Sequence, residues 1–132
     1  MKHWEVLLVK LRNEKIVNSI HVLSKLTNMD LNIKVSYAIA KNISKIEKEL
    51  EVYNKEKSKL INKYGEKDEE GKLKKNEDET VKIIDTESWD KDIKELLEFE
   101  NEIDIHKINK EDLFKCNFNI TPGELMLIDY MF

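Results

Sequence analysis

Between Val35 and Tyr64 the chain contains neither glycine nor proline, and Ile39, Ile43, Ile46, Leu50, Tyr53, Lys57, Leu60 and Tyr64 are separated alternately by four and three residues. That spacing is a heptad seam. Residues three and four apart share one face of a helix, whereas a strand needs a period of two. Lysine and glutamate fill the outer positions, so the segment predicts a single helix of roughly 45 Å. Trp89, Ile93, Leu96, Leu97 and Glu100 repeat the spacing on a shorter scale and predict a second helix from about Thr86 to Phe99. Together they predict an antiparallel helix hairpin over about 35–99, with a turn-rich tip at 65–85.

The tip begins YGEKDEEGK. Gly65 is placed where a left-handed C-cap glycine ends a helix. Asp68-Glu69-Glu70-Gly71 suits a type I turn, with aspartate first and glycine fourth. Leu73 and the run TVKII from Thr80 to Ile84 read as short β segments around a second turn near Asn76 to Glu79. Lys67, Lys72, Lys74 and Lys75 offset the neighbouring carboxylates, which favours a turn over an acidic binding site.

Outside the hairpin, Trp4 to Leu11 is rich in large and β-branched apolar residues and reads as a strand. Asn13 can cap a helix carrying Ile16, Val17, Ile20, Leu23 and Leu26 at helical spacing. Met29, Leu31 and Ile33 alternate with polar residues, as in an extended connection. In EIDIHKI, Glu102 to Ile108, the alternation has the period of a half-exposed strand, the expected partner of Trp4 to Leu11. The end, TPGELMLIDYMF, has Thr121, Pro122 and Glu124 in a capping-box arrangement ahead of a short apolar helix. The fold class is therefore α+β: a long antiparallel helix hairpin packed with a small β-sheet and a short C-terminal helix, in one domain spanning 1–132.

Charge narrows the function classes. The 23 basic and 27 acidic side chains give a net charge of −4 and are mixed along the chain, and Arg12 is the one arginine. Nucleic acid is not expected as a partner, because the bidentate fork that clamps phosphate or reads guanine is almost missing. Mimicry of nucleic acid fails for a related reason, since lysines interrupt every row of carboxylates. Cys116 has no second cysteine to pair with, which fits a reducing cytoplasm. No apolar run approaches the length of a membrane span, and no cleavage site follows the N-terminal apolar residues, so no membrane association is expected.

Catalytic signatures are lacking too. His3, His21 and His106 have no histidine or cysteine at metal-ligand spacing, and the glycines are too dispersed to cradle a phosphate. Cys116 reads as a structural thiol. Glu102, Asp104 and His106 fall on one strand face, about 7 Å between successive members, and could seat a cation in a metal-dependent nuclease. The simpler reading is a solvated strand face, which any half-exposed strand produces. The expectation is a protein with no cofactor and no catalytic residue.

Interaction is the better-supported class. The seam carries more apolar length than the shorter return helix covers, which predicts a homo-oligomer through Ile46, Leu50, Tyr53 and Leu60. Trp89, Tyr130 and Phe132 are the candidate partner anchors, since aromatic residues outside a core dominate binding energy.

The segments KLRNEKIVNSIHVLSKLTNMDLNIKVSYAIAKNISKIEKEL, KYGEKDEEGKL, EIDIHKI and TPGELMLIDYMF, in this order and spacing, resemble a group of small uncharacterised proteins encoded by phages and prophages of Gram-positive bacteria. The chain departs from that group at Asn13-Glu14, where an Asn-Gly turn is expected, and in Met1 to Val9, which reads as an addition. The resemblance implies a phage-borne protein in the host cytoplasm that binds and occludes a host protein, as an inhibitor of antiviral defence. The alternative it implies is a virion or tail-assembly component.

Overall fold

The computed structural model describes residues 5–116 and 119–132; His3 and Trp4, the first residue of the expected strand, lie outside the described residues. In chain order the elements are β1 (Val6–Arg12), α1 (Asn13–Thr27), α2 (Ile33–Tyr64), α3 (Thr86–Glu98), β2 (Glu100–His106), α4 (Lys110–Phe114), α5 (Pro122–Leu127) and a 3-10 turn, Asp129–Met131. The class is α+β, with the helix hairpin, the two-stranded antiparallel sheet and the short C-terminal helix that the periodicities predict. Among the described residues no helix is long and apolar enough to cross a membrane. The chain forms two compact units, one made of the residues up to Leu50 with Glu100–Phe132, the other of Glu51–Phe99.

In the first unit β1 and β2 pair in the register Val6 to His106 through Arg12 to Glu100. Leu11, Ile103 and Ile105 are buried, while Val6, Leu8, Lys10, Arg12, Glu100, Glu102 and Asp104 are exposed. One sheet face therefore belongs to the core and the other to solvent. β2 starts two residues before the alternating EIDIHKI motif, because Asn101 supplies what an apolar residue would not. Its Nδ2 donates to the Leu11 carbonyl at 3.2 Å and to Asn13 Oδ1 at 2.8 Å. Asn13 is accordingly a buried first residue of α1, and Arg12 holds the N-cap position with no side-chain cap bond. This corrects the capping role expected for Asn13.

Asn32 is the capping side chain that the sequence pattern missed, its Oδ1 accepting from the Val35 amide at 3.0 Å. It sets the start of α2 at Ile33, two residues earlier than the seam implies. The helix has 32 residues, about 48 Å at the usual rise. Its inward stripe of Val35, Ala38, Ile39 and Ile46 meets Ile16, Val22 and Leu26 of α1 in one buried cluster with Ile105 and Ile128. At the C-terminus Thr121 and Glu124 form a complete capping box with Pro122 at the start of α5. The helix gives way to the 3-10 turn, whose Tyr130 and Met131 are buried.

In the second unit α3 starts beside the end of α2: the Tyr64 and Trp89 rings meet edge to face at 6.5 Å, and the Tyr64 hydroxyl donates to Asp92 Oδ2 at 2.5 Å. Asp85 caps α3 by accepting from the Ser88 amide at 3.0 Å. Between the helices three extended segments bridge in pairs, Gly65 with Ile83, Lys67 with Leu73 and Lys75 with Val81. The Glu66 amide donates to Lys82, the Lys82 amide to Lys74 and the Lys74 amide to Glu66, at 2.8, 2.9 and 2.7 Å, which closes a ring in which each segment pairs with both others.

Two hairpin turns of one design join these segments. Gly71 donates its amide to the Asp68 carbonyl and has a φ of +82°; Glu79 donates to Asn76 and has a φ of 68°. Each is a type I turn followed by a left-handed residue, as three-residue hairpin loops favour. The first matches the expected turn. Gly65 does not have the left-handed conformation expected of it; only Gly71 among the glycines has a positive φ. What requires glycine at 65 is proximity. A Cβ there would lie 2.5 Å from the Ile61 carbonyl oxygen and 2.6 Å from Leu73 Cδ2.

Candidate partner-binding surface

The short helix α4 follows directly from Asn109, whose side chain accepts from the Glu111 amide at 2.8 Å. Once its phase is set by Leu113, 2% exposed, Phe114 is turned outward and is 69% exposed. α5 is held against α1 by ions: Lys25 pairs with Glu124 at 2.9 Å, and Lys15 pairs with Asp129 at 3.0 Å while donating to the Met126 carbonyl at 2.8 Å. The Thr121 amide and Lys25 both hold the Glu124 carboxyl below its ordinary range. In this setting Leu125 packs on the core and Met126 points out, also 69% exposed.

Phe114, Met126, Leu113, Leu125 and Phe132 enclose a cleft of about 290 Å³ with Lys110 and Asp129 also lining it. It can receive an apolar side chain and holds one charge of each sign. Phe132 is half-buried, and its backbone is anchored by Lys107, whose Nζ donates to the Tyr130 and Phe132 carbonyl oxygens at 2.9 and 3.2 Å. Phe132 also lines a second, more polar cavity of about 380 Å³ with Glu5, Lys34, Lys107 and Asp112. Two of those charges are already matched, Lys34 to Asp112 at 2.8 Å.

The other residues singled out in the sequence are dispersed. Tyr130 is 6% exposed and its hydroxyl hydrogen-bonds Ser19 Oγ at 3.0 Å; burial pushes its pKa up to about 12. Trp89 is half-buried against Tyr64 in the unit Glu51–Phe99. Of the seam, Ile46 and Tyr53 are buried and Leu50 and Leu60 half-buried within one chain. Ile46 and Leu50 border a groove of about 280 Å³ with Ile20, Leu23 and Ile43.

Glu102, Asp104 and His106 do share the solvent face of β2, where they lie opposite Lys10, Leu8 and Val6. Burial, with Lys45 and Lys41 nearby, holds the His106 pKa below its ordinary value. Among the described residues no group of three or more His, Cys, Asp and Glu is placed to hold a metal ion.

Sequence reasoning did not single out Phe114 or Met126 as partner contacts, Met126 being read only as part of the apolar C-terminal helix, and it passed over Asn42. The first two lie in short apolar stretches whose outward positions follow from how α4 and α5 dock, which periodicity over five or six residues cannot fix. Asn42 left a signal: it is a polar residue on the apolar stripe of α2, between Ile39 and Ile46. It is fully buried and makes two bonds to the edge of β2, donating to the His106 carbonyl at 2.9 Å and accepting from the His106 amide at 2.7 Å. Compared with known proteins, the chain matches no family model, no curated protein and no solved structure.

Proposed function

We propose that the protein is a non-enzymatic binding protein of phage origin that occludes a host protein of an antiviral system. The observation that carries the reading is the cleft at the C-terminal end. Phe114 and Met126, each 69% exposed, share it with Phe132. Isolated exposed apolar residues are ordinary on a protein surface, but large ones gathered around a concavity are the pattern of an interface centre. The sequence resemblance supplies the phage setting and the host as the source of the partner. In this reading Phe132 is an anchor, joined by Phe114 and Met126, and Trp89 offers a second aromatic contact on the other unit.

The test is capture from a Gram-positive host lysate followed by mass spectrometry, using the unchanged protein and the double variant Phe114→Asp, Met126→Asp. One host protein should be retained by the unchanged chain and lost by the double variant, with circular dichroism the same for both. Equal recovery by the two proteins would sink the assignment of the cleft, and no specific capture from any host strain would sink the occlusion reading.

A further inference from the structure

The two edges of the sheet are treated differently. Lys107 donates its amide to the Glu5 carbonyl at 2.8 Å, continuing the β1 and β2 register. Antiparallel ladders alternate, so Glu5, Leu7, Val9 and Leu11 address β2, while Val6, Leu8 and Lys10 turn their amides and carbonyls the other way. On β2 the same alternation turns Asp104 and His106 outward, and α2 occupies that edge. Asn42 stands in for a neighbouring strand at His106, and Lys45 Nζ donates to the Asp104 carbonyl at 2.8 Å. On β1, among the described residues, no hydrogen bond reaches the outward groups of Val6, Leu8 or Lys10.

Open edges are usually guarded by charges, proline or a bulge. Here the exposed apolar side chains concentrate on the open strand: Val6, Leu7 and Leu8 are 43%, 45% and 61% exposed, while the solvent face of β2 carries Glu100, Glu102 and Asp104. Lys10 and Arg12, opposite Glu102 and Glu100 in the ladder, both lie toward the C-terminal end of the strand. The occupant it suits is an extended strand with apolar residues and its charges at one end, which describes β1 itself.

We propose that the protein forms a homodimer by antiparallel pairing of β1 with β1 of a second copy, giving a four-stranded sheet. The two-fold axis lies at Leu7 or Leu8. Either register sets the outward backbone groups of one copy against those of the other: centring at Leu7 opposes Val6 to Leu8 on the solvent face, and centring at Leu8 opposes the two Leu8 side chains, with Val6 set against Lys10 of the second copy. Centring at Lys10 would oppose two lysines, which like-charge repulsion disfavours. This interface is separate from the C-terminal cleft and from the helix seam.

Light scattering over a wide concentration range, read with amide hydrogen exchange, tests the pairing. The expected mass is twice 15.7 kDa at high concentration, with the Val6, Leu8 and Lys10 amides slowing as dimer forms. Leu8→Pro removes an outward amide and no bond to β2, so it should weaken dimerisation at least about tenfold while the Leu7 and Val9 amides stay protected. Leu8→Glu, at an exposed position, should do the same without touching the backbone. A 15.7 kDa mass throughout, a dimer indifferent to both variants, or edge amides that slow only when another protein is added would each overturn the proposal.

Discussion

The two units reach stability by different routes. The first gathers Ile16, Val22, Val35, Ile105, Leu113 and Met131, each at most 2% exposed, into one cluster. Glu51–Phe99 buries only Tyr53 and Leu96 among its apolar side chains, with Leu60, Leu73, Trp89 and Ile93 half-covered. It also holds 15 acidic and 11 basic side chains, so the whole net charge of −4 resides there. The contrast extends to strand edges. Among the described residues, the unit with the large core leaves β1 open, whereas the unit with the small core closes three segments into a ring with no free edge. Where apolar burial is scarce, backbone pairing, aspartate turns and ion pairs make up more of the total.

The largest effect expected from breaking this contrast is in the core. Ile105→Ala removes a side chain with no exposure at the centre of the first cluster and should cost about 2–5 kcal/mol, read as a lower urea midpoint for residues in β1, β2 and α1. A loss confined to Glu51–Phe99 would show that the cluster does not support the first unit.

Gly65→Ala comes next, at about 1–3 kcal/mol, because the new methyl group must displace Leu73 or the helix end. Native-state hydrogen exchange should place that loss in residues 66, 74 and 82, leaving the Ile103 and Ile105 amides unchanged. Glu79→Gly works in the opposite direction. Glu79 occupies the left-handed position that Gly71 fills in the companion turn, so glycine should stabilise this unit by about 1 kcal/mol. If Glu79→Gly left the unfolding midpoint unmoved, the two turns would not be equivalent.

The smallest effect separates the units by pH. Glu66 is held below its ordinary 4.5 first by Lys82 and then Lys74, and Asp78 and Asp85 are held below 3.8 by Thr80 and by Ser88. Carboxylates with lowered folded pKa values stabilise fully above their unfolded values and lose that contribution as pH falls through the folded ones. Acidification below about pH 4.5 should therefore loosen Glu51–Phe99 before the first unit, and Glu66→Gln should reduce the gap. These groups are exposed, so solvent screening keeps the effect small. Simultaneous acid unfolding of both units, monitored by exchange of the Lys74 and Ile105 amides, would contradict this assignment.

Local signals carried most of the fold. The four-three spacing of α2, the capping box at Thr121 and the turn at Asp68 each depend on residues within a few positions, and all appear in the structure. What was not legible depends on distant partners. Asn101 extends β2 only because Leu11 and Asn13 lie across from it, and Leu73 crowds position 65 together with the Ile61 carbonyl oxygen. The cleft is of the same kind. Phe132 stood out by its chemistry, but Phe114 and Met126 acquire their exposure from the docking of α4 and α5.

The ring at Glu66, Lys74 and Lys82 has a practical consequence. Its three backbone bonds do not involve the exposed loop residues Glu69, Glu70 and Glu77. Those three positions can exchange side chains, or carry a fluorophore, without altering the pairing beneath them. A label attached at Glu70 would report on the tip while leaving both the β1 edge and the C-terminal cleft as they are.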